Sequence, residues 1–181
     1  MILLPLLIAC GSPLSEEDSQ AAFGAMNTVS TDVQTQALTG MSTAQQSLDV
    51  TADGDTYTFD GQLDGGVGWT GTVLVSGSSS MSGIQDYSYD FFLEYIDVDV
   101  SGLILNGTMD WAMTSQGGSG GAYSYAYEMV GDMDVSGSAS GALSFDYALS
   151  LSVDPMTGAY TYEASGDING YDVSEWSTGG Y

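Results

Sequence analysis

The chain of 181 residues contains no lysine, arginine or histidine, and its 24 acidic residues give a formal net charge of −24 at pH 7. Without basic side chains it forms no internal salt bridge between side chains, so burial and hydrogen bonds must stabilise the fold. Proteins neutralise phosphates with lysine and arginine, and we therefore expect no nucleic-acid partner. Direct adsorption to an anionic bilayer is also unfavourable, so stable membrane contact requires another device.

The same absences limit catalysis. A Ser-His-Asp or Cys-His arrangement, a lysine Schiff base and an arginine clamp all require residues that the chain lacks. Paired carboxylates remain and could hydrolyse glycosides. However, among 24 acids some pair falls within catalytic distance by chance. The occurrence of Glu94 and Glu128 in corresponding predicted strands is therefore weak evidence for an active site. We expect no enzyme activity and no catalytic residue.

Metal binding is restricted to oxygen ligands, because zinc sites need histidine or several cysteines. Calcium sites are compatible with the composition. No acidic segment has the spacing of an EF-hand loop, and acids at alternate strand positions are typical of a polar outer face that keeps sheets from aggregating. We predict no cofactor and no metal site, with calcium as the weaker alternative. The acidic segments in question are 53–55, 97–99, 132–134 and 167–169.

The single cysteine, Cys10, excludes an internal disulfide. It follows the uninterrupted apolar residues 1–9, MILLPLLIA, which are too short for a helix that crosses a bilayer, since that needs about 20 residues. Leu7, Ile8, Ala9 and Cys10 resemble the lipobox of bacterial lipoproteins, in which a leucine stands three places before an acylated cysteine. The resemblance implies a signal peptide over residues 1–9, cleavage after Ala9 and lipid on Cys10.

The resemblance also implies a location in the cell envelope. The residue after the cysteine is Gly11 and not an acidic residue. By analogy with the family, this favours the outer membrane over the inner one. Two acyl chains on Cys10 would anchor the protein to the membrane, although its negative charge opposes direct adsorption. The segment is shorter than a usual secretory signal of about 15–30 residues and has no basic start. A start codon assigned too far downstream would explain this. The alternative is a buried apolar segment with an incidental cysteine.

After a short tether over residues 10–14, residues 15–38 are predicted to form an amphipathic helix. Ser15 and Asp18 form a start that resembles a capping box, and Gly40 is the predicted stop. An apolar stripe on one side of this helix should cover a sheet face. The stripe consists of Ala22, Met26, Val29, Val33 and Ala37.

Residues 47–181 are predicted to form a β domain, because apolar and polar residues alternate with a period of two from Leu48 onward. The predicted fold class is mainly β: an antiparallel meander of about eight strands, curled into a barrel or half-barrel, with the N-terminal α-helix packed on it. The alternatives are a β-sandwich, a transmembrane barrel, and a propeller or β-helix. Predicted turns lie at Asp53-Gly54, Asp64-Gly65 and Ser101-Gly102.

Two segments of the β domain resemble each other and suggest an internal repeat. Residues 87–102 read YSYDFFLEYIDVDVSG, and residues 123–137 read YSYAYEMVGDMDVSG. Each copy is predicted to contribute a pair of strands. The intervening residues 115–122, SQGGSGGA, are predicted to be a flexible link.

Aromatic residues form matching rows in the two copies, and Trp111 and Tyr147 occupy equivalent positions. Cross-strand aromatic pairs stabilise sheets, which is sufficient reason for such rows in a core. Alternatively, they line a pocket for a lipid or another apolar ligand, or a groove on which sugars stack. The candidate ligand-binding residues are Tyr89, Trp111, Tyr125 and Tyr147.

The sequence does not reveal a molecular activity beyond anchoring and fold. The leading hypothesis is a membrane-anchored envelope lipoprotein that acts as a structural or interaction protein through its acidic surface. The alternative is a carrier or binding protein for an apolar ligand or a glycan, held in a half-barrel pocket. The membrane is the one expected partner, through lipid on Cys10. A further protein, glycan or lipid partner stays open.

Overall fold

The helix begins with a hydrogen-bonded cap. The computed structural model describes residues 12–39, 46–82, 86–118, 122–154 and 156–174, and helix α1 covers Glu16–Thr39. The Ser15 hydroxyl accepts a hydrogen bond from the Asp18 backbone N–H at 3.2 Å and donates one to Asp18 Oδ2 at 2.7 Å. This pairing satisfies a backbone N–H that the first turn leaves without an intrahelical partner. The predicted signal peptide, Cys10 and Gly40 lie outside the described residues.

The described part of the chain contains nine strands after the helix. They are β1 Gln46–Asp53, β2 Thr56–Gly66, β3 Trp69–Met81, β4 Tyr87–Val100, β5 Leu103–Gly117, β6 Tyr123–Gly137, β7 Gly141–Val153, β8 Tyr160–Ile168 and β9 Tyr171–Asp172. Each strand pairs antiparallel with the next, in the order β1 to β9. The predicted fold class is therefore confirmed. The chain is mainly β, an open antiparallel meander curled into a half-barrel, with one helix packed on it.

The two faces of the sheet differ because side chains alternate along each strand. In β7, the side chains of Leu143, Phe145, Tyr147 and Leu149 are buried, while the intervening Ser144 and Asp146 are exposed. β4 and β5 follow the same pattern. We call the apolar side of the sheet the inner face and the other side the outer face.

The hairpins define two ends of the half-barrel. We call the end that holds the β2–β3, β4–β5, β6–β7 and β8–β9 turns the lower end, and the opposite end the upper end. Helix α1 lies on the inner face towards the lower end. Near its start, the Phe23 ring packs at 5.2 Å from that of Tyr147 in β7. Further along, Asp32 Oδ2 accepts a hydrogen bond from Trp69 Nε1 in β3 at 2.7 Å.

These two contacts are in keeping with a curved sheet. Phe23 and Asp32 lie about 13.5 Å apart along the helix axis, whereas β3 and β7 of a flat sheet would be about 19 Å apart. Both ends of this short helical stretch contact their strands, as expected where an open sheet curls around the helix. Side chains from both elements are fully buried between them, among them Met26, Val29, Val33, Leu93 and Met109.

Glycines on the inner face allow the neighbouring strands to approach closely. A Cβ atom at Gly131 would overlap the Thr108 carbonyl oxygen and would lie 2.7 Å from Phe145 Cζ. A Cβ atom at Gly77 would overlap the Asp90 carbonyl oxygen in the same way. Each of these glycines stands beside a large side chain on the next strand, an arrangement that favours sheet curvature.

The predicted tether is partly docked on the sheet. Pro13 forms a parallel bridge with Ala142 at the start of β7. The Leu14 N–H donates to the Ala142 carbonyl at 3.3 Å, and the Ala142 N–H donates to the Ser12 carbonyl at 3.1 Å. Leu14 is buried in the core. Residues 12–14 are therefore held at the lower end of the half-barrel.

Two local predictions were wrong. Asp64-Gly65 lies inside β2, and the turn falls at Val67-Gly68, where Gly68 has a φ of +81° that favours glycine. Val67, which the alternation places inward, is 83% exposed because it belongs to this turn. The predicted flexible link is also shorter than expected, since β5 continues to Gly117 and pairs with β6. Backbone hydrogen bonds to the long neighbouring strand β6 extend β5 into this segment, although its glycine-rich composition is typical of a flexible link.

Candidate functional site

The strands continue beyond the helix towards the upper end, where the inner face is lined by tyrosines. We define the tyrosine cluster as Tyr87 and Tyr89 of β4, Tyr123, Tyr125 and Tyr127 of β6, and Tyr147 of β7. The spacing of two residues within β4 and β6 puts the side chains of each strand on one face. β5 lies between these two strands and contributes Trp111, Met113 and Ser115 to the same face.

The rings of the cluster contact one another along and across the strands. Tyr87 and Tyr89 stack with centroids 5.2 Å apart, and Tyr125 and Tyr127 meet edge to face at 5.8 Å. Tyr127 lies 5.6 Å from Tyr147. Offset and edge-to-face arrangements at these distances are the favourable geometries for aromatic pairs. The cluster is therefore an ordered aromatic surface that joins the helix-covered core.

Hydroxyl groups of the cluster also bond to each other. The hydroxyls of Tyr87 and Tyr123 are 3.3 Å apart and bridge β4 and β6 across β5. Tyr127 and Tyr162 of β8 lie close enough to Tyr147 to contribute to the rise of its pKa, after desolvation as the main cause. The cluster thus combines flat apolar ring faces with a pair of linked hydroxyls, each able to donate and to accept.

Burial of the tyrosines shifts their acidity. Desolvation, with smaller contributions from Tyr127 and other neighbouring tyrosines, raises the pKa of Tyr125 to about 12. Desolvation is also the main cause that raises the pKa of Tyr147, Tyr89 and Tyr87 above the usual value. These hydroxyls are therefore protonated at neutral pH and act as hydrogen-bonding groups rather than as bases.

Trp111 has an unsatisfied donor. Its indole Nε1 is buried and has no hydrogen-bond partner, and the residue is 7% exposed. Its ring lies 5.8 Å from that of Phe91. A buried donor without an acceptor costs about 1–3 kcal/mol, and such groups are rare in native proteins. Trp69 provides the contrast, since Asp32 accepts its indole N–H.

The structure brings the four predicted ligand-binding residues onto one face. Tyr89, Trp111 and Tyr147 are largely buried, whereas Tyr125 is half-buried and reachable. Tyr87, Tyr123 and Tyr127 are also half-buried, although they were not chosen as candidates. The matching tyrosine rows in the two similar segments indicate that all these rings share one face. The spacing of two residues does not tell which of the rings the helix covers.

The outer face carries most of the carboxylates found in the strands. Some acids stand directly opposite each other on neighbouring strands, as Asp49 does with Asp60 and Asp146 with Asp167. Like charges at such positions destabilise a sheet. The chain offers no basic side chain to compensate them.

A shallow cleft of about 330 Å³ lies on the outer face around Ala112. Asp90 and Glu128 are the cross-strand neighbours of Ala112 on either side. Phe92 and Val130, 42% and 47% exposed, line the same cleft. Two exposed apolar side chains are thus surrounded by carboxylates.

The other predicted acidic candidates have local structural roles. Asn106 accepts a hydrogen bond from the Asp97 N–H at 2.8 Å and donates to Asp97 Oδ1 at 3.2 Å. Asp167 Oδ1 accepts from the Gly170 N–H in the β8–β9 turn. Glu94 and Glu128 lie on β4 and β6 with β5 between them. Among the described residues, no group of three or more acids, histidines or cysteines is placed to hold a metal ion.

Comparison with protein-family models, with curated proteins and with solved structures finds no match to this chain. Within the described residues, no helix has both the length and the apolar character needed to cross a membrane. The case for a function therefore depends on the geometry of the two faces.

Proposed function

We propose that the chain is a lipid-anchored binding protein of the bacterial cell envelope, with the tyrosine cluster as its ligand-binding face. The observation that carries this proposal is the set of half-buried tyrosine rings and hydroxyls on the inner face towards the upper end, beyond the helix. Trp111, whose buried indole N–H has no hydrogen-bond partner, lies on the same face beside the cluster. The tyrosine hydroxyls stay protonated at neutral pH and serve as hydrogen-bonding groups for a ligand.

Lipidation of Cys10, with residues 1–9 as the removed signal peptide, is the second part of the proposal. The supporting features are the lipobox-like residues 7–10 and the net charge of −24, which opposes direct adsorption to anionic lipid. Gly11 favours the outer membrane. Mass spectrometry of the mature N-terminus from the native host should show a diacylglyceryl-modified Cys10. An intact Met1 would contradict the anchor.

Ligand binding can be tested on protein purified gently from its membrane. Native mass spectrometry should show an additional noncovalent mass on the wild-type protein. That mass should be lost in Tyr125→Ala, which removes a reachable ring of the cluster, and retained in Tyr171→Phe, which alters a tyrosine of β9 at the lower end. Protein that is empty in every preparation, and binds none of the probes named below, would contradict the binding role.

The outer face supports a second candidate, an interaction protein that recognises a cationic partner. The specific observation is the cleft in which Phe92 and Val130 are exposed beside Asp90 and Glu128. An apolar centre with a charged rim is typical of protein interfaces. Binding of a lysine-rich peptide with one central aromatic residue should weaken with salt and in Val130→Ser. The variant Thr114→Ala, on the outer face of β5 away from Val130, is the control.

A further inference from the structure

We infer that the tyrosine cluster takes a neutral, hydroxyl-rich ligand of the saccharide class, which reaches it from the aqueous side and not from the bilayer. This inference rests on the proposed function, because it names the ligand of the same site. It depends on where the lipid anchor lies relative to the cluster, on the chemistry of the exposed rings and on the charge of the chain.

The anchor and the cluster lie at opposite ends of the half-barrel. Residues 12–14 are hydrogen-bonded to Ala142 at the lower end. Cys10 precedes Ser12 by two residues, and two residues of backbone span at most about 7 Å. Along β7, the chain rises from Gly141 at the lower end to Val153 at the upper end, about 40 Å away.

This separation disfavours a lipid as the ligand. Acyl chains of the anchoring bilayer would have to travel the length of the strands to reach Tyr125, which pairs with Leu151 near the upper end of β7. A water-soluble ligand meets the cluster directly.

The half-exposed rings match a pyranose ring in chemistry. A sugar presents flat C–H faces that pack on aromatic rings and hydroxyls that both donate and accept. The linked hydroxyls of Tyr87 and Tyr123 offer matching groups at the surface of the cluster. A hydrocarbon chain has no group that pairs with these hydroxyls.

Charge favours a neutral ligand over an anionic one. The chain has 24 acids and no lysine, arginine or histidine, so it repels phosphate and carboxylate groups and cannot pair with them. An organic cation would be attracted by this field and by the tyrosine rings. However, a quaternary ammonium group has no donor or acceptor for the hydroxyls of Tyr87 and Tyr123. Cation binding is therefore a competing outcome of the test.

The orientation can be measured with two matched labels. Ser140 and Ser152 are exposed and lie just before the start and near the end of β7. Once lipid occupies Cys10, Ser140→Cys or Ser152→Cys provides the only thiol in the chain. In full-length lipidated protein on phosphatidylcholine vesicles that contain an acceptor dye, energy transfer should be strong from position 140 and several-fold weaker from position 152. Equal transfer from both positions would overturn the orientation.

The ligand class can be measured with defined probes. Calorimetric titration should detect binding of a neutral hexasaccharide, chosen from linear glucose and N-acetylglucosamine oligomers, but not of palmitate or tetramethylammonium. Tyr125→Ala should weaken binding about tenfold, because it removes a stacked aromatic contact. Tyr125→Phe keeps the ring and should lose about threefold or less. Tyr171→Phe should bind as the wild type does.

The outcomes separate the inference from the proposed function. Binding of palmitate or tetramethylammonium that is lost in Tyr125→Ala would overturn the saccharide assignment but retain a ligand-binding role for the cluster. Binding of none of the probes, together with empty protein in native mass spectrometry, would reject both. Saccharide binding that is unchanged in Tyr125→Ala would place the sugar elsewhere and would also overturn the inference.

Discussion

The hydroxyls of Ser30 in helix α1 and Tyr95 in β4 lie 2.9 Å apart, and both residues are buried. Ser30 Oγ also donates to the Met26 carbonyl oxygen at 2.9 Å, whereas Tyr95 has only a long 3.5 Å contact with that oxygen. The pair joins the helix to the centre of the sheet, and it is asymmetric, because only Ser30 has a good alternative partner.

This asymmetry predicts different costs for the two deletions. Tyr95→Phe leaves Ser30 bonded to Met26 and should lower the free energy of unfolding by about 0.5–1.5 kcal/mol. Ser30→Ala leaves the buried Tyr95 hydroxyl close to unsatisfied and should cost about 1–3 kcal/mol. Urea denaturation of both variants checks the order. A larger loss for Tyr95→Phe would contradict the assignment.

The contact between Asp32 and the β2–β3 turn gives a second prediction. Asp32 Oδ2 accepts from Trp69 Nε1 at 2.7 Å and from the Val67 N–H at 3.1 Å. Asp32→Ala removes the acceptor of a buried indole and should destabilise the fold by about 1–3 kcal/mol. Asp32→Asn retains a carbonyl oxygen at this position, so it should recover part of the loss in thermal melts. Equal losses for the two variants would argue against this role.

Two glycines are predicted to respond to alanine with opposite signs. Gly131→Ala places a Cβ atom against the Thr108 carbonyl and the Phe145 ring, and it should cost about 1–3 kcal/mol by overpacking. Gly24 is exposed within α1, and a Cβ atom there meets nothing within 4 Å. Gly24→Ala should therefore stabilise the protein by about 0.5–1 kcal/mol. Chemical denaturation measures both, and a stabilising Gly131→Ala would be incompatible with the close strand approach.

Alkaline pH should destabilise the fold through its tyrosines. Burial raises the pKa of Tyr95, Tyr125 and Tyr147 above the usual value of 10, in the case of Tyr125 to about 12. The folded state then holds more protons than the unfolded state above pH 10. The contribution of these tyrosines to the free energy of unfolding is fully present below about pH 10, and it is lost as the pH rises through their folded-state pKa values. The absence of lysine and arginine leaves tyrosine as the main group that titrates in this range.

Urea denaturation between about pH 8 and pH 11.5, with tyrosinate absorbance recorded in parallel, tests this. Tyr125→Phe removes one raised group and should make the decrease shallower above pH 10. A free energy of unfolding that is constant over this range would show that the tyrosines are not desolvated.

The opposed carboxylates of the outer face give a salt-dependent prediction. Asp146 stands opposite Asp167, so Asp146→Asn should stabilise the protein by about 0.2–1 kcal/mol at low ionic strength. Screening should reduce the gain at high salt. Glu94 pairs with Leu74 and Thr108, and Glu94→Gln should therefore change stability less. Thermal melts at two salt concentrations make the comparison, and a gain that persists at high salt would rule out repulsion as its cause.

Much of the fold could be predicted from local patterns. Ser15 and Asp18 marked the helix start, and the alternation in residues 143–153 marked a strand with one apolar face, because caps and side-chain periods are local properties. The position of the β2–β3 turn was missed. Glycine would permit a turn at Gly65 or at Gly68. Because Gly66 pairs with Trp69, the turn falls at the two residues between them, Val67 and Gly68.

The sequence alone determined the exclusion of basic-residue chemistry, the presence of sheet with one apolar face, and a row of tyrosines along two similar segments. Only the tertiary structure decided which part of that face the helix covers, which tyrosines stay reachable, and that Trp69 has an acceptor whereas Trp111 has none. It also placed residues 12–14 at the end opposite to the tyrosine cluster. The physical reason is that period and composition are local, whereas burial and hydrogen-bond partners depend on contacts between distant parts of the chain.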